Sequence, residues 1–373
     1  MLTDAQLRRA RCVPRPISSP AAPRIGVLTF HRCINYGSYW QARCLVEGLR
    51  RRGYDAVLLD YVSREATRAE WRCALQPLLP RRSTREDRRL YAAKVRKFLA
   101  AIEQLPLSAP FPLAAPAAME RFDLVLVGSD EVWNLSHPWY GGKPIFYGEG
   151  VNAGRLVAYA ASFGNYDADA GLDRYWAGRL RDFSDMSVRD QNSREIVRRS
   201  LDAQPPLVLD PCLQFPPEVE PQETGAQPYV AVYGHSLPHW FWQKARRWAA
   251  AVGCRLVSIG YRNDGADEQR LAAGPEEFAR LIANARAVVT NFFHGCIFAL
   301  LNDKPFACAP SAYRFNKVRD LTRLVGAERR LASEATPFDD FRALLEEPLD
   351  SAISARIAVL RQHSRSYLEG VLA

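Results

Sequence analysis

The stretch GVLTFHRCINYGSYWQARCLVEGLRRRGYDAVLLDY, residues 26–61, begins and ends with a short apolar run and carries a longer amphipathic run between them. Apolar runs of strand length on either side of a helical pattern predict a β–α–β unit with parallel strands. The turn after the first strand is rich in small and hydrogen-bonding residues, among them His31, Asn35 and Gly37. In an open parallel sheet this turn lies at the carboxyl end of its strand, where such folds bind ligands. The stretch therefore predicts a Rossmann-like unit with a binding cleft at this turn.

The same alternation of apolar and amphipathic runs extends through the first half of the chain. It predicts strands over residues 24–30, 55–60, 123–127, 155–160, 185–189 and 206–209. A helical insertion around residues 63–102 separates the second strand from the third. The Pro- and Ala-rich residues 104–122 that follow are predicted to be a surface connection.

A second break in the pattern is the proline-rich stretch over residues 210–228, which is typical of an interdomain linker. Strands and helices alternate again beyond it, with predicted strands over 229–233, 255–260, 287–290 and 305–309, helices over 238–253 and 274–285, and an amphipathic C-terminal helix from about residue 350. We therefore expect an α/β protein with two Rossmann-like domains that face each other across a cleft. The expected division is a disordered lead over residues 1–23, a first domain over 24–215 and a second over 216–373.

Composition excludes several classes of protein. The chain has 373 residues, of which 48% are hydrophobic, and no apolar run approaches the ~20 residues that a membrane helix needs. The N-terminus lacks the apolar run of a signal peptide, so a cytoplasmic protein is expected. None of the eight cysteines lies in a Cys-x-x-Cys pair, and neither a zinc site nor a disulfide framework is therefore predicted.

The formal net charge is +9, and residues 81–97 contribute much of it. A solvated helical face is the interpretation we favour for this segment. An anionic partner, such as an acidic glycan, a lipid diphosphate or a membrane surface, is the alternative. No nucleic-acid-binding motif accompanies the charge, so no nucleic-acid partner is predicted.

Polar residues follow several of the predicted strands. The clearest case is AVVTNFFHGCIFALLNDKPF, residues 287–306, where His294 and Gly295 follow a buried strand and begin an apolar helix. Free N–H groups at a helix N-terminus attract an anion, and a histidine there can donate a proton. A core histidine bonded to a backbone carbonyl is the alternative interpretation of His294.

Other strand ends repeat this feature: Ser129, Asp130 and Ser162 lie in turns just after predicted strands, and Arg189 lies at the end of one. An arginine at such a place can bind a carboxylate or phosphate through its planar fork, and an ion pair is the alternative. Serine and aspartate are also common in turns and helix caps. The convergence of these residues on one sheet edge, more than any one of them, indicates a site.

Taken in order, the blocks GVLTFHRCINYGSYWQARCL, DLVLVGSDEVWN, AYAASFG, SVRDQNS, VLDPCL, GPEEFARLIANARAVVTNFFHGCIFALLNDKPF and NKVRDLTRLVGAERR resemble the successive motifs of the polysaccharide pyruvyl transferase family. The resemblance covers almost the whole chain from about residue 24. It implies a fold similar to that of GT-B glycosyltransferases and phosphoenolpyruvate as the donor. It also implies transfer of pyruvate to hydroxyls of a bacterial cell-surface glycan or exopolysaccharide, usually as a ketal.

Carried over by motif, the catalytic histidine of the family corresponds to His294, and its basic residue after the Ser-Val strand end corresponds to Arg189. Its phosphate-side basic residue corresponds to Lys317, where an arginine is commoner, and Arg314 is a nearby substitute. Many members have an arginine two residues before the histidine, whereas this chain has Phe292.

The resemblance predicts a site made of three groups of residues. The donor carboxylate is expected at Arg189, and its phosphate at Lys317, Arg314 and the helix start that includes Asn291 and Gly295. His294 is the expected acid, and Asp130 or His31 the expected base. Asn35, Gly37, Ser129 and Ser162 are expected to line the cleft on the acceptor side.

The resemblance requires neither a metal nor another cofactor. The expected acceptor is a glycan or a lipid-linked oligosaccharide, and the enzyme could meet it at the inner face of the membrane through peripheral association. Alternatives are a nucleotide-sugar glycosyltransferase of the same architecture, an enzyme acting on a small-molecule or peptide acceptor, and a binding protein without chemistry.

Overall fold

The computed structural model describes residues 23–219 and 227–373. The predicted lead over residues 1–23 lies outside the described residues except for Pro23, and so do residues 220–226 of the predicted linker.

A five-stranded parallel sheet forms the centre of the first half, in the order β2-β1-β5-β6-β7. Its strands are β1 Arg24–Leu28, β2 Asp55–Leu58, β5 Phe122–Val127, β6 Ala153–Ala161 and β7 Asp185–Val188, with the small pair β3 Tyr61–Val62 and β4 Phe111–Pro112 beside it. The helices of this half are α1 Tyr36–Arg51, α2 Arg64–Leu75, α3 Arg85–Glu103, α4 Arg174–Leu180, α5 Gln191–Leu201 and α6 Pro211–Gln214. The central strands are apolar along their length because helices cover both faces of a parallel sheet.

The second half repeats this architecture with another five-stranded parallel sheet, in the order β10-β9-β8-β11-β12. Its strands are β8 Tyr229–Tyr233, β9 Arg255–Ile259, β10 Glu268–Arg270, β11 Ala287–Thr290 and β12 Phe306–Cys308. Its helices are α7 His239–Ala251, α8 Pro275–Ala283, α9 Phe293–Leu301, α10 Phe315–Val325, α11 Phe338–Glu346 and α12 Ser351–Leu372. Two Rossmann-like sheets confirm the predicted fold class, and α12 is the predicted C-terminal helix.

Three local predictions differ from the structure. Residues 206–209 form a single bridge, Leu207 with Val188, in place of the predicted strand, because the adjacent prolines have no N–H to give to a ladder. The edge strand β10 is missed because its residues are polar and leave no apolar run. Residues 210–215 of the predicted linker are buried, and α6 packs in the core.

Several helices connect the two halves, among them α1, α3 and α12. Helix α1 reaches the second half through the Tyr36 hydroxyl, which donates to the carbonyl of Ala273 at 2.7 Å. Helix α3, from the insertion, donates from Lys94 to the carbonyl of Gly260 at 3.0 Å. Helix α12 returns to the first sheet, where the Tyr367 hydroxyl donates to the carbonyl of Ala158. Within residues 23–219 and 227–373, no helix combines the length and the apolar character needed to cross a membrane.

Candidate active site

A cavity of about 360 Å³ lies where the carboxyl ends of the two sheets meet. Residues following β1, β5 and β7 line it from the first half, and residues following β8 and β11 line it from the second. The predicted site residues that line this cavity are Asn35, Asp130, Arg189, His294, Arg314 and Lys317.

Arg189 is buried at the end of β7 between two carboxylates. Its guanidinium donates to Asp210 at 2.9 Å and to Asp130 at 3.2 Å, and it stacks on the ring of Phe293 with 4.8 Å between Cζ and the ring centroid. Burial disfavours the charged guanidinium, but the two carboxylates outweigh burial and raise the pKa of Arg189. The interpretation as an ion pair is therefore part of the structure, and among the described residues the buried Nε of Arg189 has no hydrogen-bond partner.

His294 lies in the first turn of α9 and shares Asp210 with Arg189. Its Nε2 lies 3.7 Å from Asp210 Oδ2. Burial disfavours the carboxylate of Asp210, yet His294 and Arg189 outweigh burial and hold the pKa of Asp210 well below its usual range. Asp210 therefore stays ionised, so it can accept a hydrogen bond from the imidazole and balance a charge on it.

Helix α1 brings Gly37 directly against His294. A Cβ at position 37 would lie 2.1 Å from His294 Nδ1, so only glycine leaves room for the imidazole in this position. Asn35 caps α1, because its side chain accepts from the N–H groups of Gly37 and Ser38. The group that lies against Gly37 is therefore the imidazole of His294, the candidate acid, which is held between the two halves.

Asp130 and its neighbour Glu131 form the acidic side of the cavity. Asp130 has a φ of 71° and accepts from the Ser38 hydroxyl at 2.7 Å in addition to Arg189. Glu131 forms an ion pair with Lys317. Burial opposes ionisation of Glu131, but Lys317 outweighs it and lowers the pKa of Glu131 to about 2.

Arg314 is a cation that lines the cavity from the second half. It stacks on the ring of Phe292, with its Cζ 4.4 Å from the ring centroid, and contacts His235 Nε2 at 3.4 Å. Burial, together with Arg314 and Lys94, lowers the pKa of His235 to about 4, so this imidazole is neutral near pH 7. The ring of Phe292, where many relatives have arginine, is therefore the surface on which Arg314 rests.

Several predicted site residues lie outside the cavity lining. His31 is fully buried, with its ring nitrogens near the Thr29 carbonyl and the Asp60 carboxylate, each at 3.2 Å. Ser129 donates to the carbonyl of Ala160, and Ser162 donates to Asp190. These three side chains support the strand ends on which the cavity is built, and they do not reach the cavity.

Two further predicted site residues, Asn291 and Gly295, stabilise the local structure of the second half. Asn291 donates to the carbonyl of His235 at 2.8 Å and so ties the ends of β8 and β11 together. Gly295 lies against Thr290, where a Cβ would be 2.0 Å from the threonine Oγ1.

Sequence reasoning missed Asp210, Glu131 and Lys94. Asp210 lies within the VLDPCL block and ends a strand-like run, which is the signal that could have found it. Lys94 lies in the basic segment 81–97, whose arginines are exposed as predicted. Lys94 itself is only 2% exposed and lines the cavity, so the interpretation of this whole segment as a solvated face is wrong at that residue.

Among the described residues, Asp210, Cys212 and His294 have potential metal-ligand atoms within 4.8 Å of one another. Asp210 already accepts from Arg189. Burial raises the pKa of Cys212 well above its usual value, so the side chain is a thiol, whereas a metal binds the thiolate. These residues fit an internally paired cluster better than a metal site.

Three solved structures are similar to this chain over most of its length. The glycosyltransferase SsfS6 of Streptomyces sp. SF2575, complexed with thymidine diphosphate, is 15% identical with a TM-score of 0.44, and the match covers 92% of this chain and 96% of that one. MnaA of S. aureus, in a co-structure with UDP, is 12% identical with a TM-score of 0.45, covering 93% and 97%. The UDP-GlcNAc 2-epimerase of Methanocaldococcus jannaschii is 11% identical with a TM-score of 0.44, covering 91% and 99%.

No curated protein matches the chain. A family model described as polysaccharide pyruvyl transferase matches residues 35–311. This range begins at the N-cap of α1 and includes Asp130, Arg189, Asp210 and His294. The chain therefore belongs to the polysaccharide pyruvyl transferase family, and it is a transferase.

Proposed function

We propose that the protein transfers pyruvate from phosphoenolpyruvate to hydroxyls of a bacterial cell-surface glycan or exopolysaccharide and leaves the pyruvate as a ketal. The observation that carries this proposal is the contact of Arg189 and His294 with the same buried carboxylate, Asp210, at the edge of the cavity. This arrangement holds a cation for the donor and a proton donor side by side.

The first step is protonation of the donor methylene by His294, which turns that carbon into a methyl group and leaves an oxocarbenium-like carbon beside it. Asp210 remains ionised and balances the charge on the imidazole before the proton leaves. Arg189 holds the donor carboxylate through its free Nε, and its stacking on Phe293 fixes the plane of the guanidinium.

A first acceptor hydroxyl then attacks the activated carbon, with Asp130 taking the hydroxyl proton. Phosphate leaves with the electrons of its C–O bond, and a second, neighbouring hydroxyl attacks to close the ketal. Of the two hydroxyl protons, one replaces the proton given by His294 and the other leaves with phosphate. The products are a ketal and inorganic phosphate, with no oxidation or reduction.

The phosphate is stabilised by cations and by the start of α9. Among the described residues no side chain caps this helix. The N–H groups of Phe292 and Gly295 already donate within the protein, and those of Phe293 and His294 remain for an anion. Arg314 and Lys317 line the same cavity. Side chains and backbone can thus stabilise the developing charge without a cofactor. A lipid-linked oligosaccharide is the proposed acceptor, met by a cytoplasmic enzyme at the inner face of the membrane.

The test is an assay of phosphate release from phosphoenolpyruvate with a set of glycan acceptors, run in D₂O. We expect release that depends on the acceptor, and a pyruvyl methyl group on the glycan that carries deuterium. If UDP is released from a UDP-sugar with the same acceptors, and no phosphate is released from phosphoenolpyruvate, the protein is instead a glycosyltransferase.

His294 gives the sharpest variant. His294→Ala and His294→Gln should both keep the fold and lower single-turnover transfer by about 10²–10⁴, the usual contribution of general acid catalysis. His363→Ala, which changes an exposed histidine of α12, is the matched control and should transfer at the normal rate. Normal transfer by the glutamine variant would show that the position needs only a hydrogen bond.

A further inference from the structure

Lys94 is a buried cation without a carboxylate partner in the described parts of the chain. It projects from α3 into the space between the two halves and lines the cavity, with 2% of the residue exposed. Its single hydrogen bond is to the carbonyl of Gly260 at 3.0 Å. An ammonium has three donors, so two remain for another partner.

Aromatic rings surround this ammonium. Its Nζ lies 4.6 Å from the ring centroid of Tyr261 and 5.0 Å from that of Tyr36. Such faces attract a cation but accept no ordinary hydrogen bond. Burial lowers the pKa of Lys94 to about 7. An anion reaching the cavity would supply the compensation that the protein lacks.

The cavity contains two kinds of cation. Arg189 and Lys317 each form ion pairs with carboxylates, so protein groups already balance part of their charge. Arg314, like Lys94, forms none within the described residues; it donates to Ser311, contacts His235 and lies over the rings of Phe292 and Tyr313.

The two uncompensated cations lie on the same aromatic cluster. The ring of Tyr261, which contacts Lys94, lies 5.3 Å from the ring of Phe292, on which Arg314 stacks. The ring of His235 lies 5.2 Å from that of Tyr261 and is neutral. Lys94 and Arg314 are therefore joined through one cluster of rings that carries no carboxylate: Tyr261, Phe292 and the neutral His235.

We infer that Lys94 and Arg314 form a subsite for a phosphate group, and that the insertion helix α3 thereby contributes directly to ligand binding. Phosphate suits the pair because its several oxygens and double charge can satisfy two cations together. Only the identity of the phosphate carrier, phosphoenolpyruvate, rests on the proposed function. Lys94 then joins the other cations of the cavity in binding the group that leaves.

The test compares Lys94→Met with Lys97→Met by calorimetric titration of inorganic phosphate and of phosphoenolpyruvate at pH 6.5. Methionine keeps most of the volume of the buried side chain. Lys97 lies one turn further along α3, is exposed and pairs with Glu277, so it controls for loss of a lysine from this helix. We expect Lys94→Met to bind both ligands about 10- to 100-fold more weakly, as for loss of one charge-assisted hydrogen bond, and Lys97→Met to bind them normally.

Geranyl diphosphate and pyruvate serve as further probes. If Lys94→Met binds inorganic phosphate and geranyl diphosphate weakly but phosphoenolpyruvate normally, the subsite stands and its phosphate belongs to a lipid-linked acceptor. Pyruvate, which has no phosphate, should bind both variants alike. Equal phosphate affinity in Lys94→Met and wild type would overturn the subsite, as would a wild-type protein that binds no phosphate. A Lys94-dependent phosphate site in a protein that transfers no pyruvate would contradict the proposed function alone.

Discussion

Arg189 is held more tightly by protein groups than a simple ligand-binding arginine would be. Its two carboxylate partners and the ring of Phe293 bury it almost completely. Removing one partner of a buried ion pair leaves the other charges uncompensated, whereas an exposed pair contributes little. Arg189 therefore stabilises the folded cavity in addition to any role in binding a ligand.

Arg189→Ala should accordingly lower the free energy of unfolding by about 3–5 kcal/mol. The control is Arg365→Ala, which breaks an exposed pair with Glu369 on α12 and should cost less than about 1 kcal/mol. Urea unfolding of both variants measures the difference. Near-normal stability of Arg189→Ala would mean that Asp130 and Asp210 find other partners or take up protons.

Lys94 should make stability depend on pH. Its pKa is about 7 in the folded protein because of burial and ordinarily near 10.4 when unfolded. Between these values the unfolded chain binds one proton more, so the free energy of unfolding rises with pH. The titratable groups near the ammonium are Tyr36, Tyr261, His235 and the Cys73 thiol, and they are common to wild type and variant.

We therefore expect wild type to gain stability relative to Lys94→Met as the pH rises from 7 to 9, in a buffer without phosphate. The difference should be flat below pH 6, where Lys94 is protonated in both states. Denaturant midpoints at several pH values measure this difference. A flat difference throughout would show that Lys94 keeps an ordinary pKa in the folded protein.

Helix α1 determines where His294 can lie. The start of this helix carries Gly37 into contact with the imidazole, and its next turn packs Trp40 against the second half, where the indole donates to the carbonyl of Pro275. Helix α1 thus follows a strand of the first sheet along the chain, but its contacts are with the cavity and the second half. The position of the imidazole depends on the absence of a single Cβ.

Gly37→Ala should displace His294 and lower turnover by about 10²-fold, as expected for a misplaced catalytic group. The control is Gly178→Ala in α4, where a Cβ would meet no atom within 4 Å and alanine should stabilise the helix by up to about 1 kcal/mol. Single-turnover assays and thermal melts of both variants separate the two effects. Normal turnover by Gly37→Ala would show that His294 can act from another rotamer.

The long-range contacts of α12 bind the end of the chain to the site. The hydroxyl of Ser364 accepts from the N–H of Leu209 at 2.9 Å, and Arg361 donates to the carbonyl of Leu213. Leu209, the donor of the first bond, and Leu213, the acceptor of the second, lie on either side of Asp210, so α12 fixes the backbone that carries the shared carboxylate. The two halves and the C-terminal helix therefore stabilise one cluster of charges.

Ser364→Ala should cost about 1–3 kcal/mol, because it leaves the buried N–H of Leu209 without a partner. Ser366→Ala, an exposed change two residues along α12, should stay within about 0.5 kcal/mol of wild type. Equilibrium unfolding measures both. Equal stability of the two variants would indicate that Leu209 finds another acceptor.

The sequence predicts much of the fold because local patterns of apolar residues specify strands and helices. The β–α–β unit of residues 26–61 and the C-terminal helix are predicted from such patterns. The order of the family motifs is likewise visible along the chain without knowledge of the fold. The same local spacing contained a signal for Lys94, because Tyr91, Lys94 and Phe98 fall on one face of α3. The basic composition of the segment concealed that face.

By itself, then, the sequence determined two parallel sheets, their strand ends and membership of the family. Only the tertiary structure decided which charges are neutralised and which are free. Arg189 and Asp130 are 59 residues apart, and Lys94 and Gly260 are 166 apart, so no local pattern pairs them. The cost of a buried charge depends on the neighbours that folding brings within a few ångströms. For that reason the sequence could name Arg189, Arg314 and Lys317 as cations of the cavity, whereas only the fold shows that Lys94 joins them and that, among the described residues, Lys94 and Arg314 have no carboxylate partner.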